Sequence, residues 1–166
     1  REVNPSIIMI SHPLAGHYGP FSELRGYGPT AASLAGLDSV TGYLDEERPC
    51  GYSHAIGDPN VGLHGALAVL AALRHRRSTG EGQYIDMSMW EALTGLMGFA
   101  IMDYTLNGRV ATPTGNRHPA MAPHGIYPCK KDAELDKWIS IAIKTDEEWG
   151  ALCRAMGSPP WADHAG

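Results

Sequence analysis

The chain has 166 residues, of which 43% are hydrophobic and 19% are charged, enough for an ordinary globular domain with a buried core. Its formal net charge is −5 at pH 7 and its basic residues form no long patch, which argues against nucleic acid as a partner. The apolar stretch from 61 to 73 is too short to cross a membrane and is interrupted by glycine. No basic segment followed by an apolar segment stands near the start of the sequence, so a signal peptide is not predicted. The three cysteines, odd in number and far apart, predict reduced thiols in a cytoplasmic protein.

The first predicted element is a buried strand over Ser6 to Ser11, where the Ile-rich run SIIMIS lies between Asn-Pro and His-Pro. Residues 12–29 are rich in glycine, proline and histidine and predict a loop at the carboxyl end of that strand. A short helix is expected over Thr30 to Gly42, since the segment opens on a cap residue and ends at glycine. Residues 43–57 are polar and predict turns.

A long helix is predicted from about 59 to 78, in the run that begins AIGDPNVGLHGALAVLAAL. Pro59 suits the first helical position, where its missing N–H costs nothing. The basic cluster from Arg74 to Arg77 suits the negative end of a helix dipole. These signals agree on both ends of the helix.

Asp58 stands at the start of this helix, and two roles for it are open. Aspartate is a favoured N-cap residue, so Asp58 is predicted to cap the helix. The positive end of the helix dipole also favours the ionised carboxylate, which is the form that a nucleophile needs. The adjacent Gly57, together with the glycines at 62 and 65, would let a bulky ligand or a partner chain approach closely. The residues around Asp58 do not decide between a helix cap and a nucleophile.

The rest of the chain predicts a strand over 83–89, a helix from Trp90 to about Leu106, and a long loop over 107–125. Beyond the loop, GIYPC and KWISIAI predict two strands, and Thr145 with Glu148 three residues later predicts a capping box at the start of a last helix. This alternation indicates an α/β fold with a domain boundary in the 107–125 loop.

Several other site types are not expected. The eight histidines include no H-E-x-x-H pair and no Cys/His cluster, so no metal site is predicted. A nucleophile elbow G-x-S-x-G, a P-loop and a G-x-G-x-x-G fingerprint are all missing from the sequence, which argues against a serine hydrolase and a nucleotide-binding fold of those types.

The residues from Gly57 to Leu93, GDPNVGLHGALAVLAALRHRRSTGEGQYIDMSMWEAL, resemble the family III CoA-transferases, the group of formyl-CoA transferase and carnitine CoA-transferase. The family pattern is an aspartate that opens a long helix, an R-x-x-T-G-x-G-Q turn, and an x-D-x-S-x strand. The positions that match are Asp58, Arg76 or Arg77, Thr79, Gly80, Gly82, Gln83, Asp86 and Ser88. The segments NPSIIMISHPLAGHYGP, RGYGPTAASLAGL and GNRHPAMAPHGIYPC also match, so the resemblance covers nearly the whole chain.

The resemblance implies that Asp58 is the catalytic nucleophile of a CoA-transferase, which moves CoA from an acyl-CoA to a free carboxylic acid through an aspartyl anhydride and an aspartyl-CoA thioester. Coenzyme A is then a substrate, and no tightly bound cofactor is implied. The resemblance also implies that residues 1–110 are the C-terminal portion of a Rossmann-like large domain and that 111–166 begin a small α+β domain. The family forms an interlaced homodimer, and the chain is expected to be the central, by itself inactive, part of a longer protein.

The resemblance implies roles for several further residues. Tyr27 stands where the formyl-CoA transferases have an active-site tyrosine, and Arg25 aligns with a basic residue that contacts CoA; a solvated surface arginine is the alternative for Arg25. Gly28 replaces the glutamate of the oxalate-using enzymes, which puts oxalate in doubt as the acceptor. The loop GNRHPAMAPHG replaces a loop that closes over the family's active site. The residues of this loop that would border the acyl pocket, or merely shape the loop, are Asn116, His118 and His124.

Two alternative functions accompany the transferase. An α-methylacyl-CoA racemase shares the fold, but it has a histidine in the sequence AGHD where this chain has RGYGP, which argues against that branch. A non-catalytic assembly module is the other alternative. The sequence identifies neither the CoA donor nor the acceptor acid.

Overall fold

The computed structural model describes residues 2–44, 50–52, 54–130 and 136–163. The chain folds into two compact units, Arg1–Pro113 and Thr114–Gly166, and each is described by itself. The first unit contains β1 (Met9–Ser11), α1 (Gly28–Leu34), a 3₁₀ turn (Asp38–Val40), α2 (Gly57–Thr79), β2 (Tyr84–Asp86), α3 (Met89–Thr94), a second 3₁₀ turn (Gly95–Met97) and α4 (Gly98–Asn107). The second unit contains β3 (His124–Pro128), β4 (Trp138–Ala142), α5 (Asp146–Ala155) and a 3₁₀ turn (Pro160–Asp163).

In the first unit, β1 and β2 pair in parallel, with Met9 opposite Tyr84 and Ser11 opposite Asp86. Parallel strands need a long crossover, which here includes α1 and α2. Because the two carboxyl ends lie side by side, the loop that follows β1 and the start of α3 meet at one edge of the strand pair. That edge positions the site described below.

The core of the first unit lies between α1, α2 and α3. Leu93 on α3 is fully buried at its centre. The other buried residues of the cluster are Leu14, Ala31, Ala32, Leu37, Val61, Met89, Ala92 and Met97. Small residues on α1 let the helices pack closely, because alanine keeps the two backbones near each other.

Some predicted bounds are wrong. The helix expected over 30–42 ends at Leu34, because Gly36 adopts a left-handed backbone with φ +82°. The single helix expected from Trp90 to Leu106 is three segments, since a 3₁₀ turn over Gly95–Met97 separates α3 from α4. The strands β1 and β2 are shorter than the predicted strands over 6–11 and 83–89. The sequence pattern shows how far the apolar run extends, but it does not show which residues form hydrogen bonds to the neighbouring strand.

The second unit is an antiparallel hairpin followed by a helix. β3 and β4 pair from His124 opposite Ala142 to Pro128 opposite Trp138, while residues 131–135 lie outside the described part of the chain. The Thr145 Oγ1 accepts a hydrogen bond from the Glu148 amide at 3.3 Å, and the Glu148 carboxylate accepts one from the Thr145 amide at 3.2 Å. The predicted capping box is thereby confirmed.

Candidate active site

Asp58 lies in the first turn of α2, and its side chain is exposed. Its Oδ2 accepts a hydrogen bond from the backbone N–H of Gly28, with a distance of 3.0 Å between the nitrogen and the oxygen. Among the described residues, none donates a hydrogen bond to Oδ1. One carboxylate oxygen is therefore held by the start of α1, and no described residue holds the other.

The prediction that Asp58 caps α2 is wrong. The helix begins at Gly57, one residue before Asp58. Ile56, which precedes Gly57, already has helical backbone angles, φ −53° and ψ −26°. The Asp58 amide donates to the Ala55 carbonyl at 3.0 Å, so it needs no cap. The carboxylate reaches the first amide of α1 instead of its own helix, so its placement is not explained by capping of α2.

Two glycines let the starts of α1 and α2 meet. A Cβ on Gly57 would lie 2.6 Å from the Gly28 Cα and 3.1 Å from the Met89 sulfur. A Cβ on Gly28 would overlap the Asp58 Oδ2 and lie 2.9 Å from the Ala55 Cβ. The space beside Gly57 is therefore taken by the backbone of Gly28, and both residues are buried.

The loop between β1 and α1 is fastened to the β2–α3 junction. The Asp86 Oδ2 accepts a hydrogen bond from the His17 amide at 2.8 Å, and the Ser88 hydroxyl donates to the Leu14 carbonyl at 3.3 Å. The Phe21 and Trp90 rings lie 5.5 Å apart between centroids. The loop ends at Gly28, so these contacts belong to the support of the Asp58 site.

Arg25 and Tyr27 lie at the end of this loop, and both side chains are exposed. Tyr27 directly precedes α1, where its carbonyl accepts the Ala31 amide at 3.1 Å. Sequence proximity to Gly28 places both residues near the start of α1, on the same unit as Asp58.

Asn116, His118 and His124 lie together in the second unit. The His124 Nδ1 is 2.6 Å from the Asn116 carbonyl oxygen, and the two imidazole rings are 5.2 Å apart between centroids. The His118 Nδ1 accepts the Ala120 amide at 3.1 Å. These contacts give the segment from 116 to 124 a defined shape and leave His118 exposed.

Two site-related residues carry features that the sequence did not assign to the site. Asp86 matches the family pattern, but its contact with His17 spans 69 residues and no local signal predicts it. Asn60 follows Asp58 by two residues, is buried, and its Nδ2 has no hydrogen-bond partner among the described residues. Its position on the face of α2 that holds Gly57 and Val61 becomes visible only once α2 packs against its neighbours.

The described residues contain neither a metal-binding cluster nor a membrane-spanning helix. In the described ranges, no three or more His, Cys, Asp or Glu side chains are grouped so that they could hold a metal ion. No helix in the part of the chain that the structure covers is long and apolar enough to cross a bilayer. Cys50, Cys129 and Cys153, all within the described residues, form no disulfide with one another.

The sequence and the fold are those of a known class of proteins. Residues 1–166 match the family model described as CoA-transferase family III. The chain therefore belongs to the family III CoA-transferases, as the sequence resemblance predicted.

Among its relatives, the chain is 33% identical over 162 residues to "Succinyl-CoA--D-citramalate CoA-transferase" of Chloroflexus aurantiacus, covering 98% of this chain and 39% of that protein. It is 30% identical over 163 residues to "Succinate--glutarate CoA-transferase" of Agrobacterium fabrum, with 98% and 39% covered. The chain thus spans about two fifths of the length of these relatives.

The crystal structure of a CAIB/BAIF family protein from Brucella suis matches with a TM-score of 0.87 and 29% identity, over 98% of this chain and 42% of that chain. The α/β fold predicted from the sequence, as part of the family fold, is confirmed by this match.

Proposed function

We propose that the chain carries the nucleophile of a CoA-transferase, which moves CoA from an acyl-CoA to a free carboxylic acid. The observation that carries the proposal is the Asp58 carboxylate, exposed in the first turn of a long helix with one oxygen held by the Gly28 amide. Membership of the family, and relatives that are named as CoA-transferases, support the reaction class.

The first half of the reaction places CoA on the enzyme. The Asp58 Oδ1 attacks the thioester carbonyl of the donor, the C–S bond breaks, and an aspartyl–acyl anhydride and a CoA thiolate form. The thiolate then attacks the Asp58 carbonyl carbon. The bond from that carbon to the bridging oxygen breaks, so the donor acid leaves as its carboxylate and Asp58 becomes a CoA thioester.

The second half returns CoA to a different acid. The acceptor carboxylate attacks the Asp58 thioester carbonyl, which releases the thiolate and forms a new anhydride. The thiolate attacks the acceptor's carbonyl carbon and gives the new acyl-CoA, and the Asp58 carboxylate is regenerated. No proton is gained or lost over the cycle, so the chemistry requires stabilisation of oxyanions more than a general acid.

The Gly28 N–H is suited to that stabilisation. Once Oδ1 is acylated, Oδ2 is the carbonyl oxygen of the aspartyl group and develops negative charge whenever the thiolate or an acid attacks that carbonyl. A backbone N–H that already lies 3.0 Å from Oδ2 is a preorganised donor for this charge. The amides of Asp58 and Asn60 bond to the Ala55 and Ile56 carbonyls, so they are occupied within the chain.

Dicarboxylic acids are the proposed substrate class. The relatives in Chloroflexus aurantiacus and Agrobacterium fabrum are named for succinyl-CoA with citramalate and for succinate with glutarate. In the proposed assignment, Arg25 contacts a CoA phosphate or the pantetheine arm, and Tyr27 and Gly57 flank the reacting aspartate. Asn116, His118 and His124 border the acyl pocket.

The remaining assignments rest on the family resemblance. Residues 1–110 would belong to the large domain and residues 111–166 to the start of the small domain. The whole protein would be a cytoplasmic homodimer that uses CoA as a substrate and holds no tightly bound cofactor.

The experiment that tests the proposal traps the aspartyl intermediate. The full-length gene product is incubated with succinyl-CoA and a panel of other acyl-CoAs and quenched with hydroxylamine, and its peptides are mapped by mass spectrometry. A hydroxamate on the Asp58 peptide is expected, and Asp58→Asn should abolish it, although the asparagine oxygen can still accept the Gly28 N–H.

An unmodified Asp58 peptide with every donor, from protein that binds CoA, would contradict the proposal. Exchange at the α-carbon without movement of CoA between acids would instead indicate a racemase.

A further inference from the structure

We propose that Asp86 is a positioning residue for the reaction at Asp58, acting through the loop that carries Gly28. This inference rests on the proposed function, because it concerns the placement of the N–H that faces the Asp58 carboxylate. Four sets of contacts lead from β2, through the loop after β1, to the start of α1 and the Asp58 carboxylate.

The first contact joins Asp86 to the loop. The Asp86 Oδ2 accepts the His17 N–H at 2.8 Å, while its Oδ1 is buried without a hydrogen-bond partner among the described residues. Gly16 turns the chain at this point, since its φ of +86° lies in the left-handed region that favours glycine. Within the described residues, the Asp86 side chain thus accepts a single hydrogen bond, from the His17 amide.

The second contact fixes the segment before His17. Ser88 donates through its hydroxyl to the Leu14 carbonyl at 3.3 Å, and the Trp90 amide donates to the same carbonyl at 2.9 Å. The Met89 amide donates to the Pro13 carbonyl at 3.1 Å. Residues 13–17 are therefore bound along the β2–α3 junction, with Asp86 at the far end of the attachment.

The third and fourth contacts reach the nucleophile. Leu14 is buried, and its Cδ2 lies so near Gly26 that a Cβ there would be 2.9 Å from it. Gly26 is two residues before Gly28, whose N–H is 3.0 Å from the Asp58 Oδ2. The loop from His17 to Gly28 thus begins at the Asp86 contact and ends at the N–H that faces the Asp58 carboxylate.

Loss of the Asp86 carboxylate is expected to misplace this donor. The His17 N–H would lose its partner, and residues 14–17 would be held at one end only. Small displacements of a catalytic donor reduce rates strongly, because oxyanion stabilisation depends on distance and angle. Substrate affinity should change less, since Asp86 is expected to touch neither CoA nor the acid.

The test uses the full-length gene product and compares Asp86→Ala with Asp86→Asn, whose amide oxygen can still accept the His17 N–H. The rate constant of Asp58 hydroxamate formation at saturating succinyl-CoA, the half-saturating concentration and the melting temperature are measured for each. Asp86→Ala should lower the rate constant about tenfold or more and change half-saturation less than about threefold, while Asp86→Asn stays within about threefold of wild type. Asp103→Ala, which removes a half-buried carboxylate on α4 that pairs with Arg109, is the matched control and should leave the rate unchanged.

A second variant covers the case in which Asp86→Ala does not fold. Leu14→Val shortens the side chain that meets Gly26, and it should lower the same rate constant while half-saturation is retained. The inference is overturned if the wild type forms the Asp58 adduct and the folded variants form it at the wild-type rate. If the wild type forms no adduct with any donor, the proposed function fails, and the inference fails with it.

Discussion

Gly57 and Gly28 pack backbone against backbone, so that a Cβ on Gly57 would lie 2.6 Å from the Gly28 Cα. This approach brings the start of α1 to the start of α2 and places the Gly28 N–H on the Asp58 carboxylate. The environment of the Asp58 carboxylate is thus set by two residues that have no side chain. Adding one methyl group at either position should therefore be more damaging than its size suggests.

Gly28→Ala keeps the backbone N–H but displaces it from the Asp58 carboxylate, and formation of the Asp58 adduct is expected to fall at least about a hundredfold, since loss of one oxyanion donor costs that much in other acyl-transfer enzymes. The added Cβ would overlap the Asp58 Oδ2 and force the two helix starts apart. The matched control is Gly62→Ala on α2, where nothing lies within 4 Å of the added Cβ. The control should keep activity and raise the free energy of unfolding by about 0.5–1 kcal/mol. Equal activity of both variants would contradict the role of Gly28.

Arg25→Ala is expected to raise KM for acyl-CoA about three- to tenfold with little change in kcat, since a charge that contacts the CoA moiety contributes to binding and not to the chemical step. The effect should shrink at high ionic strength because salt screens an exposed charge. Arg109→Ala is the control, since Arg109 pairs with Asp103 at 2.7 Å. An unchanged KM for Arg25→Ala would identify a solvated surface residue.

Thr145→Ala is expected to destabilise α5 by about 1 kcal/mol, because it removes the side chain that accepts the Glu148 amide. The matched control is Thr105→Ala on α4, where the hydroxyl donates to carbonyls of its own helix and caps no helix start. Chemical denaturation, monitored on the unit that carries each substitution, measures the loss of stability for both variants. The capping assignment would be contradicted by equal stabilities of the two variants.

The stability of the second unit should depend on pH through Glu148. The amides of Lys144 and Thr145 donate to this carboxylate and lower its pKa below the ordinary value. A depressed folded-state pKa adds stability above the unfolded pKa, and that stability is lost as the pH falls through the folded-state pKa. Glu148→Gln keeps the acceptor oxygen without the charge, so wild type and variant should differ at neutral pH and converge in acid. Parallel pH curves of the free energy of unfolding would contradict this.

Leu93→Ala is expected to lower the free energy of unfolding by about 2–5 kcal/mol, because the side chain is fully buried between α1, α2 and α3. Leu93→Met conserves the volume and should cost less than about 1.5 kcal/mol. Denaturant titration of both variants measures the difference. Similar losses of stability for Leu93→Ala and Leu93→Met would show that the core around Leu93 does not depend on close packing.

The sequence predicted the elements whose signals are local. Pro59 and the basic cluster after Leu73 predict α2 to within two residues at each end, and Thr145 with Glu148 predicts the start of α5. The sequence marks Asp58 as a candidate site residue because it stands between a glycine and a proline before a long apolar run.

What could not be predicted depends on residues far apart in the chain. The contact from Gly28 to Asp58 spans 30 residues, and the contact from His17 to Asp86 spans 69. Neither hydrogen bond leaves a periodic signal, since each donor is a backbone amide that every residue but proline possesses. The cap assignment of Asp58 failed for the same reason: residue type favoured a local partner, and packing supplied a distant one.

The pairing of Met9 with Tyr84 has a consequence for how the protein is made. The support of Asp58 includes Asp86 and α3, which are synthesised after the nucleophile itself. Since 39 residues separate Asp58 from Met97, the last residue of the buried cluster, the ribosome needs about 2–8 seconds to supply them at usual elongation rates. During that interval α2 exposes its apolar face without α3. Until α3 follows, the buried face of α2 lacks this packing partner, and the Asp58 carboxylate is present before its surroundings are complete.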